Sequence, residues 1–432
     1  MSEMKKKMKK ISSCLFLLTA IFLTVSCDRS ENGDFPPEEP QAGDFVKVLK
    51  SQMITTDNLA AMVSEAVPLL PPEFAMYLKL LTCDVQLTVI DYKTTGPDGN
   101  LVDASGVIIY PTAKESYNHI LSIQHGTIDI NNSPSDQAFP IEAFPVFADE
   151  VVVMADYLGY GISRTDDLKH TYMHLKTTGT ACADMISASR QFLDEYSNME
   201  CTADSIRLLG YSQGGQATMA TLFELEERGL ADRISMVRAG AGPYSMSDFM
   251  KNPDEPNDRL AYTIFAIEGL IYGDNADIDR HNIYTDEFFS SGRDYILTEC
   301  YLSQWNEVLG KYIRNVLNED FFKPDYGGNK DVIKVMELMN RNSVVNRTKP
   351  LSNNIFIEFY HCPTDTYVPY SCSKTAASGT FRNCSRLHDL EMAGDHISGG
   401  VEFIIDYMGG RFTVLKLIIP LIDEIVHGQL ES

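Results

Sequence analysis

The spacing of hydrophobic and polar residues changes several times along the chain. VQLTVIDY (85–92) alternates, GPDGN (96–100) reads as a turn, and VDASGVIIY (102–110) returns, which predicts an antiparallel hairpin. HILSIQHGT (119–127) and EVVVMADYLGYG (150–161) are unbroken apolar runs ending in glycine-rich loops, as strands buried on both faces do. A helix is predicted over about 176–197, a strand over SIRLLGYS (205–212), a helix over about 214–228 and a strand over ISMVRAGAG (234–242). The rhythm then stops. Residues 245–352 are mostly helical in pattern, with Asp, Asn and Pro punctuation. It resumes with NIFIEFYHC (354–362), a helix near 370–378, RLHDLEMAG (386–394) and a helical region from about 397. Upstream, residues 45–80 have helical spacing broken at Pro71 and Pro72.

Two antiparallel strands followed by strands alternating with helices imply an α/β fold with a doubly wound, mostly parallel sheet and an antiparallel N-terminal hairpin. The insertion at about 245–352 is expected to form a helical cap above the carboxyl ends of the strands, where such sheets bind ligands. No internal repeat is visible.

The N-terminus reads differently from the body. Lys5, Lys6, Lys7, Lys9 and Lys10 precede the apolar stretch CLFLLTAIFLTV (14–25), then Ser26 and Cys27. This predicts a lipoprotein signal over 1–26, with Cys27 lipidated as the mature N-terminus. Residues 27–44, rich in acidic residues and Pro, read as a flexible tether, and 45–432 as the enzyme-sized body. The expected location is the bacterial cell envelope, with the body outside the cytoplasm and the lipid as its only membrane attachment. The formal net charge of −24 repels phosphate backbones, so nucleic acid is not an expected partner. The nine cysteines contain no CxxC pair, and no metal or cofactor motif is apparent. Cys372 and Cys384 read either as a pair or as free thiols.

The chemistry concentrates at strand ends. Ser212 lies in G-x-S-x-G between a predicted strand and a predicted helix, the setting of a nucleophile elbow. A serine hydroxyl needs a base, and the base needs an orienting acid. His396, directly after the last predicted strand, is the expected base. Asp365, after the strand before it, is the expected acid. Asp365 could instead cap a helix near Pro369, with Asp395 as the acid, but Asp395 adjoins His396 and is badly placed to meet Nδ1. His361 and His125 are weaker candidates for the base. The oxyanion hole is expected to use the N–H of Gln213, with Gly126 or Thr127 supplying the second donor. Asp156 reads as structural.

HGT (125–127), DYLGYG (156–161), GYSQGG (210–215), the D-x-x-VP of Asp365–Pro369 and GDH (394–396) follow one another in α/β-hydrolase order. Over roughly 80–410 the chain resembles the secretory lipase family, of the fungal lipase A type, and its bacterial lipoprotein relatives. The resemblance implies a carboxylic-ester hydrolase with Ser212 as nucleophile, Asp365 as acid and His396 as base, acting without a cofactor on a small-molecule, lipid or carbohydrate ester. AYTIFAIEGLIYG (261–273) could line an acyl pocket or form the core of the cap. Two other functions compete. A serine exopeptidase of the prolyl-oligopeptidase type would need a propeller of at least four blades of roughly forty residues, for which there is no room upstream. A non-catalytic surface binder on the same fold would be expected to have lost one of the three residues.

Overall fold

The computed structural model describes residues 39–66, 72–165, 168–246, 248, 254, 260–293, 308–420 and 423. The predicted signal over 1–26, Cys27 and most of the predicted tether lie outside them. The body begins at Gln41. Gly43 and Asp44 are already tied to the sheet: Gly43 N–H donates to Lys93 O at 2.8 Å, and Lys93 N–H to Asp44 O at 2.9 Å.

Nine strands form one sheet: β1 (Phe45–Ile54), β2 (Val85–Thr95), β3 (Leu101–Pro111), β4 (Ser116–Gln124), β5 (Val152–Ala155), β6 (Glu200–Tyr211), β7 (Ile234–Gly240), β8 (Ile357–His361) and β9 (Ser385–Asp389). Their order is β1-β2-β3-β5-β4-β6-β7-β8-β9. The pairings from β1 to β5 along this order are antiparallel, and every later one is parallel.

The unbroken apolar runs follow from burial of both sheet faces. Within β3, Ile108 packs on one face while Val107 and Ile109 pack on the other. Within β6, Leu208 and Leu209 divide in the same way. One face is covered by the helices Leu175–Tyr196 and Gln213–Glu227. The other is covered by the turns at Ile141–Ala148 and the helix His396–Met408. Numbered with the shorter helices, these are α1 (Thr56–Ala66), α2 (Pro72–Leu81), α3 (Leu175–Tyr196), α4 (Gln213–Glu227), α5 (Leu260–Gly273), α6 (Arg280–Ile283), α7 (Asp286–Ser290), α8 (Lys330–Arg341), α9 (Tyr370–Thr375) and α10 (His396–Met408). Helices α5 to α8 lie between β7 and β8 and contribute to a separate apolar cluster, which also takes in Tyr172 and Met173. No helix among the described residues is long and apolar enough to cross a membrane.

One expectation is corrected. Residues 45–54 are a strand, not a helix. FVKVLKSQMI satisfies a helical pattern, but β2 offers an open edge. Its backbone groups pair with Phe45–Ile54 along nearly the whole segment, and the β-branched Val46 and Val48 suit that conformation. As an edge strand it stays mostly exposed and carries Lys47 and Lys50, residues that discourage further strand pairing.

Helices α3 and α4 are joined by a buried charge. Asp184 of α3 is fully buried; its Oδ1 accepts from Arg228 Nη1 at 2.6 Å and its Oδ2 from Thr94 Oγ1 at 2.6 Å. Arg228, at the end of α4, also binds Glu224 at 2.9 Å. Arg228→Ala would leave the Asp184 charge uncompensated and is expected to cost about 3 kcal/mol of unfolding free energy. The double variant Asp184→Asn, Arg228→Met should recover most of that loss. Urea unfolding checks both; a loss under about 1 kcal/mol for the single variant would mean the pair is not needed.

Candidate active site

Between β6 and α4 stands one residue, Ser212, at φ 60° and ψ −125°. This conformation is costly for a residue with a side chain and persists only where its surroundings impose it. They do so by crowding. A methyl group at Gly214 would lie 2.0 Å from Gln124 O, and one at Gly210 would lie 2.3 Å from Gly214 O. The glycine spacing in the sequence is therefore the condition for strand and helix to meet at this angle. Ser212 N–H donates to Gly240 O at 2.9 Å, and its side chain makes no capping bond to α4. Its hydroxyl is available to another partner.

That partner is His396. Its Nε2 lies 2.8 Å from Ser212 Oγ, and its Nδ1 lies 2.5 Å from Asp365 Oδ2. Asp395 caps α10, accepting from Ile397 N–H at 2.9 Å and Ser398 N–H at 3.2 Å, and so places His396 at the first helical position. The alternative acid is thus occupied in starting the helix. Asp365 has a fully buried side chain; its Oδ1 accepts from the N–H groups of Tyr367 and Val368, each at 2.8 Å. Burial alone would raise its carboxyl, but hydrogen bonds from the His361 and His396 rings hold it well below the usual carboxylate range. An ionised Asp365 fixes the proton on Nδ1 of His396. Nε2 is then free to accept the Ser212 proton.

Residues His125, Gly126 and Thr127 form the loop after β4. A methyl at Gly126 would sit 3.9 Å from Ser212 Cβ, in ordinary contact, so the protein's own packing does not demand glycine there. His125 is buried, with Nδ1 donating to Gly126 O at 2.7 Å and its ring stacked on Tyr157 at 3.9 Å; it supports the loop. Asp156 is likewise structural: it accepts from the hydroxyls of Ser105 and Ser135, both at 2.5 Å. Thr127 Oγ1 lies 2.7 Å from the Tyr172 hydroxyl. Tyr172 stacks on Phe265 of α5 at 4.4 Å. From the same helix, Tyr262 meets Tyr367 edge-on at 6.5 Å, and Tyr367 lies 5.6 Å from the His396 ring. The aliphatic residues of α5, Ile264, Ile267 and Leu270, are buried in the cluster formed by the inserted helices. Cys372 and Cys384 form no disulfide. Among the described residues, no group of His, Cys, Asp and Glu could hold a metal ion.

His170 is a part of this region that sequence reasoning missed. Its Nδ1 donates to Leu158 O at 2.8 Å, leaving Nε2 to accept from Gln213 Nε2 at 3.2 Å. Burial pushes His170 down to about 3. The ring therefore stays neutral and steadies the side chain directly after Ser212. Nothing in LKHTY (168–172) marks a strand end or a motif, so only the folded chain reveals the contact.

No family model matches the chain, and no curated protein matches it. Solved structures do. The rice cell wall degrading esterase LipA from Xanthomonas oryzae aligns with a TM-score of 0.64 at 20% identity, covering 88% of this chain and 98% of that one. A putative hydrolase from Legionella pneumophila aligns with a TM-score of 0.64 at 21% identity, covering 84% and 96%. Lipase A from Candida antarctica, in its closed state, aligns with a TM-score of 0.54 at 14% identity, covering 85% and 80%. This chain has the α/β-hydrolase fold. Within that fold, Ser212, Asp365 and His396 follow β6, β8 and β9 and meet at the carboxyl edge of the sheet.

The buried histidines of this fold are expected to make it acid-sensitive. His170 stays neutral in the folded state down to about pH 3, whereas an unfolded chain protonates it near its ordinary value of about 6.5. The unfolded state binds more protons in that window, so stability falls as pH drops through it. His125, lowered by burial, acts in the same direction. His170→Gln should flatten the fall in unfolding free energy between about pH 6 and 4 by roughly 1.4 kcal/mol per pH unit. Urea titrations across that range measure the slope; an unchanged slope would show that the ring is protonated in the native protein.

Proposed function

We propose that this protein is a serine carboxylic-ester hydrolase. The observation that carries the reading is the hydrogen-bonded series Ser212 Oγ, His396 Nε2, His396 Nδ1, Asp365 Oδ2, with links of 2.8 and 2.5 Å across three distant chain segments. Ser212 Oγ attacks the ester carbonyl as Nε2 takes its proton, and the imidazolium, steadied by Asp365, gives that proton to the leaving alcohol. Water, activated by the same ring, then hydrolyses the acyl-enzyme. The oxyanion is held by the Gln213 N–H at the start of α4, where backbone donors lack intrahelical partners, and by the N–H of Gly126 or Thr127. The esterase and lipase named among the structural neighbours are consistent with this chemistry.

Ser212→Ala should lower p-nitrophenyl acetate turnover by about 10⁴-fold or more with an unchanged melting temperature, and should abolish fluorophosphonate labelling. Asp365→Asn should cost a comparable factor by permitting the wrong imidazole tautomer. Retained turnover in a folded Ser212→Ala variant would remove the assignment. Because the aliphatic residues of α5 are committed to the core of the inserted helices, and the contacts of Tyr262 and Tyr172 near the site are aromatic and polar, short acyl chains should be preferred. kcat/KM is expected to fall from butyrate to palmitate esters, and a rise along that series would exclude this specificity.

We also propose that Cys27 carries the lipid that attaches the enzyme to the cell envelope, on the strength of the basic, apolar and small-residue pattern before it. Metabolic labelling with palmitate should mark the wild-type protein and not Cys27→Ala. Equal labelling of both would place the lipid elsewhere.

A further inference from the structure

We propose that His361 is a positioning residue for Asp365, a second imidazole that shares the carboxylate oxygen bound by His396 and limits how tightly that oxygen holds the His396 ring. The inference rests on the proposed roles of Ser212, His396 and Asp365 and adds a fourth side chain to them.

His361 is the last residue of β8, four positions before Asp365, and its ring is completely buried. Its Nε2 faces two oxygens that can only accept: Asp365 Oδ2 at 3.2 Å and Val368 O at 3.1 Å. Nε2 must therefore carry a proton, which faces both oxygens. Nδ1 is then an acceptor, and it takes the Ser373 hydroxyl at 2.7 Å. The His361 backbone is held too, since its carbonyl accepts from Leu390 N–H at 3.0 Å. The ring has one tautomer and one orientation.

Asp365 is consequently saturated. Two backbone N–H groups occupy Oδ1, and two imidazoles meet at Oδ2. Every donor draws electron density from the carboxylate, so the bond left for His396 is weaker than it would be with a single imidazole on that oxygen. The imidazolium formed during reaction is therefore less stabilised than it would be without His361. The other ionisable groups around this pair do not replace His361. Tyr211 from the end of β6 and the Cys362 thiol are raised by burial and neutral. Tyr370 of α9, whose ring lies 5.5 Å from His361, is pushed up to about 12 by burial and by its bond to Asp389. Asp395, the nearby carboxylate, is bound to the first turn of α10.

Three variants test this in the full-length protein. His361→Leu removes the donor, Ser373→Ala keeps the ring but releases its tautomer, and His361→Gln returns an N–H near the position of Nε2. The first readout is the NMR titration of the His396 ring, assigned by its loss in His396→Ala; the second is the acidic limb of kcat/KM for p-nitrophenyl acetate. His361→Leu should raise both by about 0.5 pH unit or more. Ser373→Ala should move them the same way by less, and His361→Gln should lie near wild type. A residue that only supported the fold would lower melting temperature and kcat without displacing the His396 titration. An unshifted titration in folded Ser373→Ala and His361→Leu overturns the proposal. The NMR readout needs no turnover, so a wild-type protein inactive on esters would count against the hydrolase reading while the ring titration still decided the role of His361.

Discussion

The site hangs on a single peptide unit. Ser212 is held in a conformation that an isolated chain avoids, because β6, α4 and the end of β4 converge with no room for side chains at Gly210 and Gly214. The strain is distributed into the best-packed part of the molecule, where Leu208 and Leu209 are fully buried on opposite faces of the sheet. A rigid sheet thus fixes one hydroxyl, and the His396 ring and the Asp365 carboxylate are brought to it by the loops after β9 and β8. Those loops are fastened independently. Glu402 accepts from Ala393 N–H at 2.9 Å, and Thr364 Oγ1 donates to Gly394 O at 2.8 Å. The ring of His396 is therefore located by bonds that do not involve Ser212.

Burial makes opposite demands on the ionisable groups nearby. His170 has no acid beside it, and at His125 burial outweighs the nearby charges of Glu142 and Asp156, so both rings are held toward the neutral form. Asp365 is equally buried, yet four N–H donors make its charged form the stable one. The Asp365 carboxylate beside Nδ1 is what gives His396 a defined tautomer. The Asp184–Arg228 pair, also shielded from solvent, strikes the balance differently: burial outweighs the Arg228 charge and raises the Asp184 carboxyl.

The inserted helices connect to this machinery through aromatic contacts. Tyr172 joins Phe265 to the loop that carries Thr127, and Tyr262 leans on Tyr367 beside His396. The sequence of α5 is largely apolar and could equally have belonged to a ligand pocket. Packing decides the matter, since the aliphatic residues face the helices of the insertion and the tyrosines are left toward the site.

Much of this was legible in residue order. Apolar runs of β4, β5, β6 and β8 announced strands buried on both faces, and the glycine spacing around Ser212 announced a turn too tight for side chains. The succession of Ser212, Asp365 and His396 at strand ends named the three groups that the fold brings together, because residues at the carboxyl ends of neighbouring strands share one edge of the sheet. Other features depended on distant neighbours. FVKVLKSQMI became a strand because β2 had an unpaired edge, which no local pattern records. His170 reaches Gln213, and His361 shares an oxygen with His396, only because the fold closes over them. A sequence sets periodicity, turn chemistry and the supply of reactive groups, since these are properties of adjacent residues. Which tautomer a buried ring adopts, and which carboxylate it touches, is decided by partners many residues away and by the exclusion of water, and those exist only in the folded chain.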